Sequence, residues 1–139
     1  MKTPYLLQVE DSPETFRPLI DAARSQGMRV GWLELGASSA PVPESLGAAA
    51  DSGVLRAVAV GEGRAVSVKP LRGAPVLKDL LREHFQGCVL VLVRGRLEGA
   101  PALTTDGDGW RISPPGLASR RSSTEDFIAS LRKPNPSGS

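Results

Sequence analysis

The chain has 139 residues, 17 of them basic and 15 acidic, with one Cys, one His and six aromatic residues (Tyr5, Phe16, Trp32, Phe85, Trp110, Phe127). That length suits one domain whose core folds unaided. A single Cys excludes an internal disulfide framework and any multi-Cys zinc or iron–sulfur site, and a single His excludes a His-rich metal site.

The first strand is expected at Tyr5-Leu6-Leu7-Gln8-Val9, stopping at Glu10-Asp11. Ser12 reads as an N-cap with Pro13 at N1, and Phe16, Leu19, Ile20 and Ala23 mark one face of a helix that Pro18 should bend and Gly27 should stop. A second strand over Met28–Leu35 completes a strand–helix–strand unit, which implies a parallel pair with a right-handed crossover. Residues 36–43 read as a loop of small residues and proline. An Ala-rich helix is expected over Pro43–Ser52, followed by a third strand at Leu55–Val60.

Gly61-Glu62-Gly63 suits a hairpin turn into a returning strand, Arg64–Val68. Gly73-Ala74-Pro75 opens a helix with the stripe Leu77, Leu80, Leu81 and Phe85, ended by Gly87. Cys88–Val93, the longest apolar run at six residues, reads as a strand near the sheet centre. Leu103–Thr105 and Trp110–Ser113 flank Asp106-Gly107-Asp108-Gly109 as a second hairpin. Pro114–Arg121 reads as a loop. Ser122 and Glu125 fit a capping box for a last helix containing Phe127, Ile128 and Leu131. The expected architecture is one α/β domain over residues 1–132, three-layer-like, with a mixed sheet of five to seven strands. In it the N-terminal βαβ unit precedes a hairpin-containing half, and residues 133–139 form a disordered tail.

Six apolar residues fall far short of the about twenty that a membrane helix needs. The N-terminus also lacks a signal-peptide core, so the expected compartment is the cytoplasm with Cys88 reduced. The net charge of +2 is unevenly spread. Residues 1–54 hold four basic and seven acidic side chains, residues 55–96 hold eight and three, and residues 97–139 hold five of each. A basic middle attracts anions.

Two groups follow. Glu10, Asp11 and Glu34 end the first two strands at the edge where α/β proteins bind ligands, and three carboxylates there could hold a hard cation, although helix capping by Asp11 and a surface role for Glu34 are the favoured reading. Lys69, Arg72, Arg94 and Arg96 form the candidate anion-binding group, with Lys69 and Arg72 just ahead of a helix N-terminus. The hairpin at Gly61–Gly63 should reverse the chain, so these cations are expected at the sheet edge opposite the acids.

Other motifs favour structural roles. The loop after the first strand has no glycine and three acids, which argues against a dinucleotide site. No P-loop and no nucleophile elbow occur. Asp106-Gly107-Asp108-Gly109 lacks the bidentate Glu of a calcium loop, since Leu117 stands there. His84 and Cys88 offer a Cys–His pair only on paper, because a lone Cys opening an apolar strand is usually a small hydrophobe.

Leu6-Leu7-Gln8-Val9-Glu10-Asp11-Ser12-Pro13-Glu14, with Lys69-Pro70 ahead of a helix, resembles a response-regulator receiver domain in those two patches. The resemblance implies a Mg²⁺-binding acid pair after the first strand. It does not extend to the phosphoacceptor, because the third strand ends at Val60-Gly61 without an Asp.

The function favoured is a non-catalytic binding or protein-interaction module with a basic surface, having a protein partner or a second copy, or a phosphate-bearing ligand, and no cofactor. The rivals are a small enzyme acting on a phosphorylated or nucleotide substrate and a degenerate receiver-like domain. Few aromatics and a small net charge argue against nucleic acid. An interaction module should expose an apolar patch or an unpaired sheet edge.

Overall fold

The most apolar strand organises the sheet. In β5 (Leu90–Arg94), Leu90, Val91, Leu92 and Val93 are all fully buried, so both faces of the strand need cover and a neighbour is needed on each side. It lies between β1 (Tyr5–Val9) and β2 (Val30–Glu34) and runs parallel to both. This is a computed structural model, and it describes residues 3–35, 43–71, 73–74 and 76–132.

The described chain forms two units, Met1–Gly36 with Leu81–Ser139, and Ala37–Leu80. The first carries a six-stranded mixed sheet in the order β2-β5-β1-β6-β7-β8, completed by β6 (Ala102–Asp106), β7 (Gly109–Ser113) and β8 (Arg120–Ser122). β6 is parallel to β1, and the last three strands form an antiparallel meander. This is the α/β class with a mixed sheet expected from the sequence, with its N-terminal strand–helix–strand order.

One face of this sheet holds the main core. Leu7, Val9, Leu90, Leu92, Leu103, Trp110 and Ile112 pack with Phe16, Leu19 and Ala23, and with Phe127, Ile128 and Leu131. The last six lie in or beside α1 (Arg17–Ser25) and α4 (Thr124–Ser130), which also touch each other. On the opposite face, Gly31 leaves room for the ring of Phe85, which follows α3 (Leu77–His84).

Several expectations are corrected here. Pro18 does not bend a helix but sets where the α-helix begins. Pro13–Phe16 is a 3-10 turn, and α1 starts at Arg17 because Pro18, lacking an N–H, fits only the first turn. Ser12 makes no side-chain cap bond to the backbone. Its hydroxyl instead hydrogen-bonds Glu14, which holds the Glu14 carboxyl below its ordinary range.

β1 and β2 are parallel but not adjacent, since β5 has taken the place between them. At the end of α1, Gly27 N–H donates to Arg24 and Met28 N–H to Ala23, a Schellman closure. The cap of α4 is Ser123, one residue after the expected Ser122, and its hydroxyl accepts from the Asp126 N–H at 3.1 Å. Arg120 and Arg121, read as loop, form with Ser122 the edge strand β8.

The second unit contains α2 (Glu44–Asp51) and the hairpin of β3 (Ala57–Gly61) and β4 (Arg64–Val68). The hairpin turns at Glu62-Gly63 as expected. It forms a two-stranded sheet of its own, however, and does not join the main one. α2 packs against both strands, and Leu46 and Ala57 are buried. The expected loop at 36–43, apart from Pro43, and the tail at 133–139 lie outside the described residues. No helix among the described residues is long and apolar enough to cross a membrane.

Candidate functional site

The carboxyl edge of the parallel strands gathers Glu10, Glu34 and Arg94. Because β5 runs parallel to β1 and β2, Arg94 leaves the sheet beside the acids, and the expected two opposite poles are overturned. The reversal at the β3–β4 turn does not propagate, because that hairpin lies outside the main sheet. Arg94 Nη1 stands 3.4 Å from Glu34 Oε1, and its Nε donates to the Glu10 carbonyl at 3.2 Å. Trp32 Nε1 donates to the same Glu34 oxygen at 3.3 Å. The arginine thus clamps the ends of β1, β2 and β5 together. Both charged side chains of the pair are about half exposed, so it adds only about 0–1 kcal/mol to stability.

The loop after β5 is fixed from below by Gln8. Its Nε2 donates to the Ala100 carbonyl at 2.6 Å and its Oε1 accepts from the Leu97 N–H at 2.8 Å. A polar residue in the middle of β1 is thereby satisfied, and the loop carrying exposed Arg96 is held in place.

Of the candidate anion-binding residues, Arg94 and Arg96 belong to the first unit and Lys69 to the second, while Arg72 lies outside the described residues. What the structure brings to Arg94 is a carboxylate and a carbonyl. Among the described residues, no group of three or more His, Cys, Asp or Glu is placed to hold a metal ion, so Glu10, Asp11 and Glu34 are not brought together as a set of three. The receiver resemblance meets the same obstacle. The strand that would have to supply a phosphoacceptor, β3, pairs only with β4 and not beside β1.

The Asp106–Gly109 turn closes the β6–β7 hairpin. Asp106 Oδ2 accepts from Arg111 Nη2 at 2.6 Å and Nε at 3.1 Å, and Asp108 Oδ1 accepts from Arg121 Nη2 at 2.7 Å. These carboxylates are engaged by arginines across the meander.

His84 lies 3.8 Å from Glu83 and edge-on to Phe85, while the Cys88 sulfur sits beside Gly31. Burial pushes the Cys88 thiol above its ordinary range, with Arg29 offsetting part of the effect. A catalytic cysteine needs the opposite shift. Modification of native Cys88 by a disulfide reagent at pH 8 should therefore be slower than that of the unfolded chain, and its rate should still be rising above pH 9. A rate that levels off below pH 8 would contradict this assignment.

Sequence reading missed the exposed face of the β3–β4 hairpin. Cross-strand partners share a face, which groups Val58 with Ser67 and Val60 with Ala65. Val58 is 55% exposed and Val60 81%, while on the other face Ala57 is 8% exposed and Val66 43%. Among the described residues neither strand has a second neighbour, so two sheet edges stand open. The signal was present in Ala57-Val58-Ala59-Val60, where small and bulky residues alternate. A strand buried inside an α/β sheet is usually bulky on both parities, as β5 is. Comparison with protein-family models finds no match, and comparison with curated proteins finds no relative.

Proposed function

We propose that the chain is a non-catalytic protein-interaction module whose binding element is the β3–β4 hairpin. The supporting observation is the combination of an apolar exposed face, Val58 and Val60, with strand edges that nothing in the described chain pairs. Two-stranded hairpins are marginal alone and gain stability from further strands. Unpaired N–H and C=O groups beside apolar side chains are the recognition surface of strand addition.

One of the two edges of the main sheet differs from the hairpin. β8 ends it with three residues, two of them exposed arginines, which discourages further pairing, while β2 forms the other edge. The hairpin strand β3 has no charge and no proline between Ala57 and Gly61.

Selection against a random peptide library tests this reading. The expected binders are extended and rich in β-branched residues, and they should lose binding to Val60→Lys. Failure to find any binding that depends on Val60 would refute it. A small enzyme using phosphate would instead show thermal stabilisation by millimolar phosphate or nucleotides; no such shift is expected.

A further inference from the structure

Independently of the interaction reading, we infer that Asp106-Gly107 is a latent site of aspartate isomerisation and that Arg111 is the residue that keeps it closed. The tip of the β6–β7 hairpin carries two Asp-Gly bonds in succession, Asp106-Gly107 and Asp108-Gly109. A glycine has no Cβ to hinder its own nitrogen, so that nitrogen can attack the carboxyl carbon of a preceding aspartate. A C–N bond forms and closes a five-membered imide, while the hydroxyl of the carboxylic acid and the amide hydrogen leave as water. Water then opens the imide at either carbonyl. One opening restores aspartate. The other leaves the chain running through the side chain as isoaspartate, with one extra carbon in the backbone.

The fold disarms the two bonds in different ways. Asp106 and Gly109 are the pair that closes a two-residue turn, so the Gly109 N–H donates to the Asp106 carbonyl and is not free to attack Asp108. Asp108 is protected in this way although its side chain is 98% exposed. The Gly107 N–H lies in the turn, outside the strand pairing, and here it is the carboxylate that is restrained. Asp106 Oδ2 accepts from both Arg111 Nη2 and Arg111 Nε, and Arg111 is braced in turn by Nη1 donating to Ser119 Oγ at 3.0 Å. Arg111 stands opposite Thr104, two residues behind Asp106, whereas Gly107 lies one residue ahead. The clamp thus draws the carboxyl group back along β6, away from the nitrogen it would meet. Arg111 and Arg121 are cross-strand partners, a placement unfavourable by itself, and Asp106 Oδ2 also lies 3.9 Å from Arg121 Nε. The carboxylate and the two arginines therefore hold one another in place. Isoaspartate at position 106 would insert its extra carbon at the first rung of the β6–β7 ladder, next to the pair formed by Thr105 and the core residue Trp110.

The test is prolonged warm incubation of the full chain at near-neutral pH. Isoaspartate at each position is then measured by peptide mapping with fragmentation that distinguishes it from aspartate. In the folded wild type both positions should isomerise more slowly than in the same chain unfolded in urea. Arg111→Gln removes the fork and should speed isomerisation at Asp106 about threefold or more, while Asp108 keeps its folded rate. Arg111→Lys retains the charge without the fork and should fall between wild type and Arg111→Gln at Asp106. Arg121→Gln leaves the Arg111 clamp in place, so Asp106 should stay slow.

An unchanged rate at Asp106 in both Arg111 variants overturns the inference. So does equal acceleration at Asp106 and Asp108, which would mean that the substitution loosens the whole hairpin instead of freeing one carboxylate. A wild-type chain that isomerises at Asp106 as fast folded as in urea also overturns it, because the site would then have no guard.

Discussion

Replacing Phe16 by Ala should lower stability by about 3–5 kcal/mol, a large part of the roughly 5–15 kcal/mol available to a domain of this size. Phe16 is 1% exposed and stands where the 3-10 turn hands over to α1, so it is held from both sides. Its ring centroid lies 5.8 Å from that of Trp110 in a stacked arrangement and 6.1 Å from that of Trp32 in a tilted one. Trp110 is itself fixed by a 2.9 Å bond from Nε1 to Thr124 Oγ1 at the start of α4. Removing the ring opens a cavity between β2, β7 and α1. Little can fill it, because Leu19 beside it is already fully buried and anchored in the helix. Phe16→Leu separates the contributions. It keeps most of the volume, so its cost should fall to about 1.5 kcal/mol or less, mostly the lost aromatic contacts. Since the chain has two tryptophans and both touch Phe16, intrinsic fluorescence reports the change directly. Equal and small urea-midpoint shifts for the two variants would show that Phe16 is not the core anchor described here.

The local pieces of this core were legible in the sequence because each has a short-range signature. The run Cys88–Val93 could only be a buried strand. The stripe Phe16, Leu19, Ile20, Ala23 read as a helix face, of which Phe16 falls in the 3-10 turn ahead of α1, and Asp106–Gly109 read as a hairpin turn. Partner identity was not legible. Nothing in the period of Leu6-Leu7-Gln8-Val9 says that β5 rather than β2 will lie beside it, because a parallel neighbour is chosen by burial summed over the whole sheet. β5 takes the inner place since, among the strands of the main sheet, it is the one with four successive fully buried residues, Leu90–Val93.

The error about opposite charge poles followed from this. Strand direction was inferred by counting reversals along the chain, and the count fails when a hairpin leaves the sheet. β8 was invisible for a different reason. Arg120-Arg121-Ser122 has no apolar residue to mark it, and its place comes from pairing with β7 and from Arg121 reaching Asp108. The candidate interaction edge was half visible. The strand and its turn were read correctly, while its exposure depends on which elements do not cover it, and that is a tertiary property.

Gly95→Ala should destabilise the chain by about 2–4 kcal/mol, with the damage confined at first to the β2–β5 end. Two costs combine there. Gly95 has φ +133°, which L side chains rarely adopt, and a Cβ built on it would lie 2.7 Å from the Leu35 carbonyl oxygen and 3.1 Å from the Leu35 Cβ. The nearest obstacle is backbone, and that backbone is tied down by the Leu35 N–H donating to the Arg94 carbonyl at 2.9 Å. Relief therefore requires either breaking that bond or rotating the loop that Gln8 holds through Leu97 and Ala100. Gly27→Ala is the control for conformation without crowding. Gly27 has φ +75°, but nothing lies within 4 Å of its Cβ position, so about 1 kcal/mol is expected. A difference between the two variants in urea midpoint, with faster hydrogen exchange at the Leu35 amide in Gly95→Ala alone, would locate the extra cost at the carbonyl contact. Equal effects would mean that the edge yields easily. The clamp of Arg94 on Glu34 and on the Glu10 carbonyl would then not be set by the glycine that follows it.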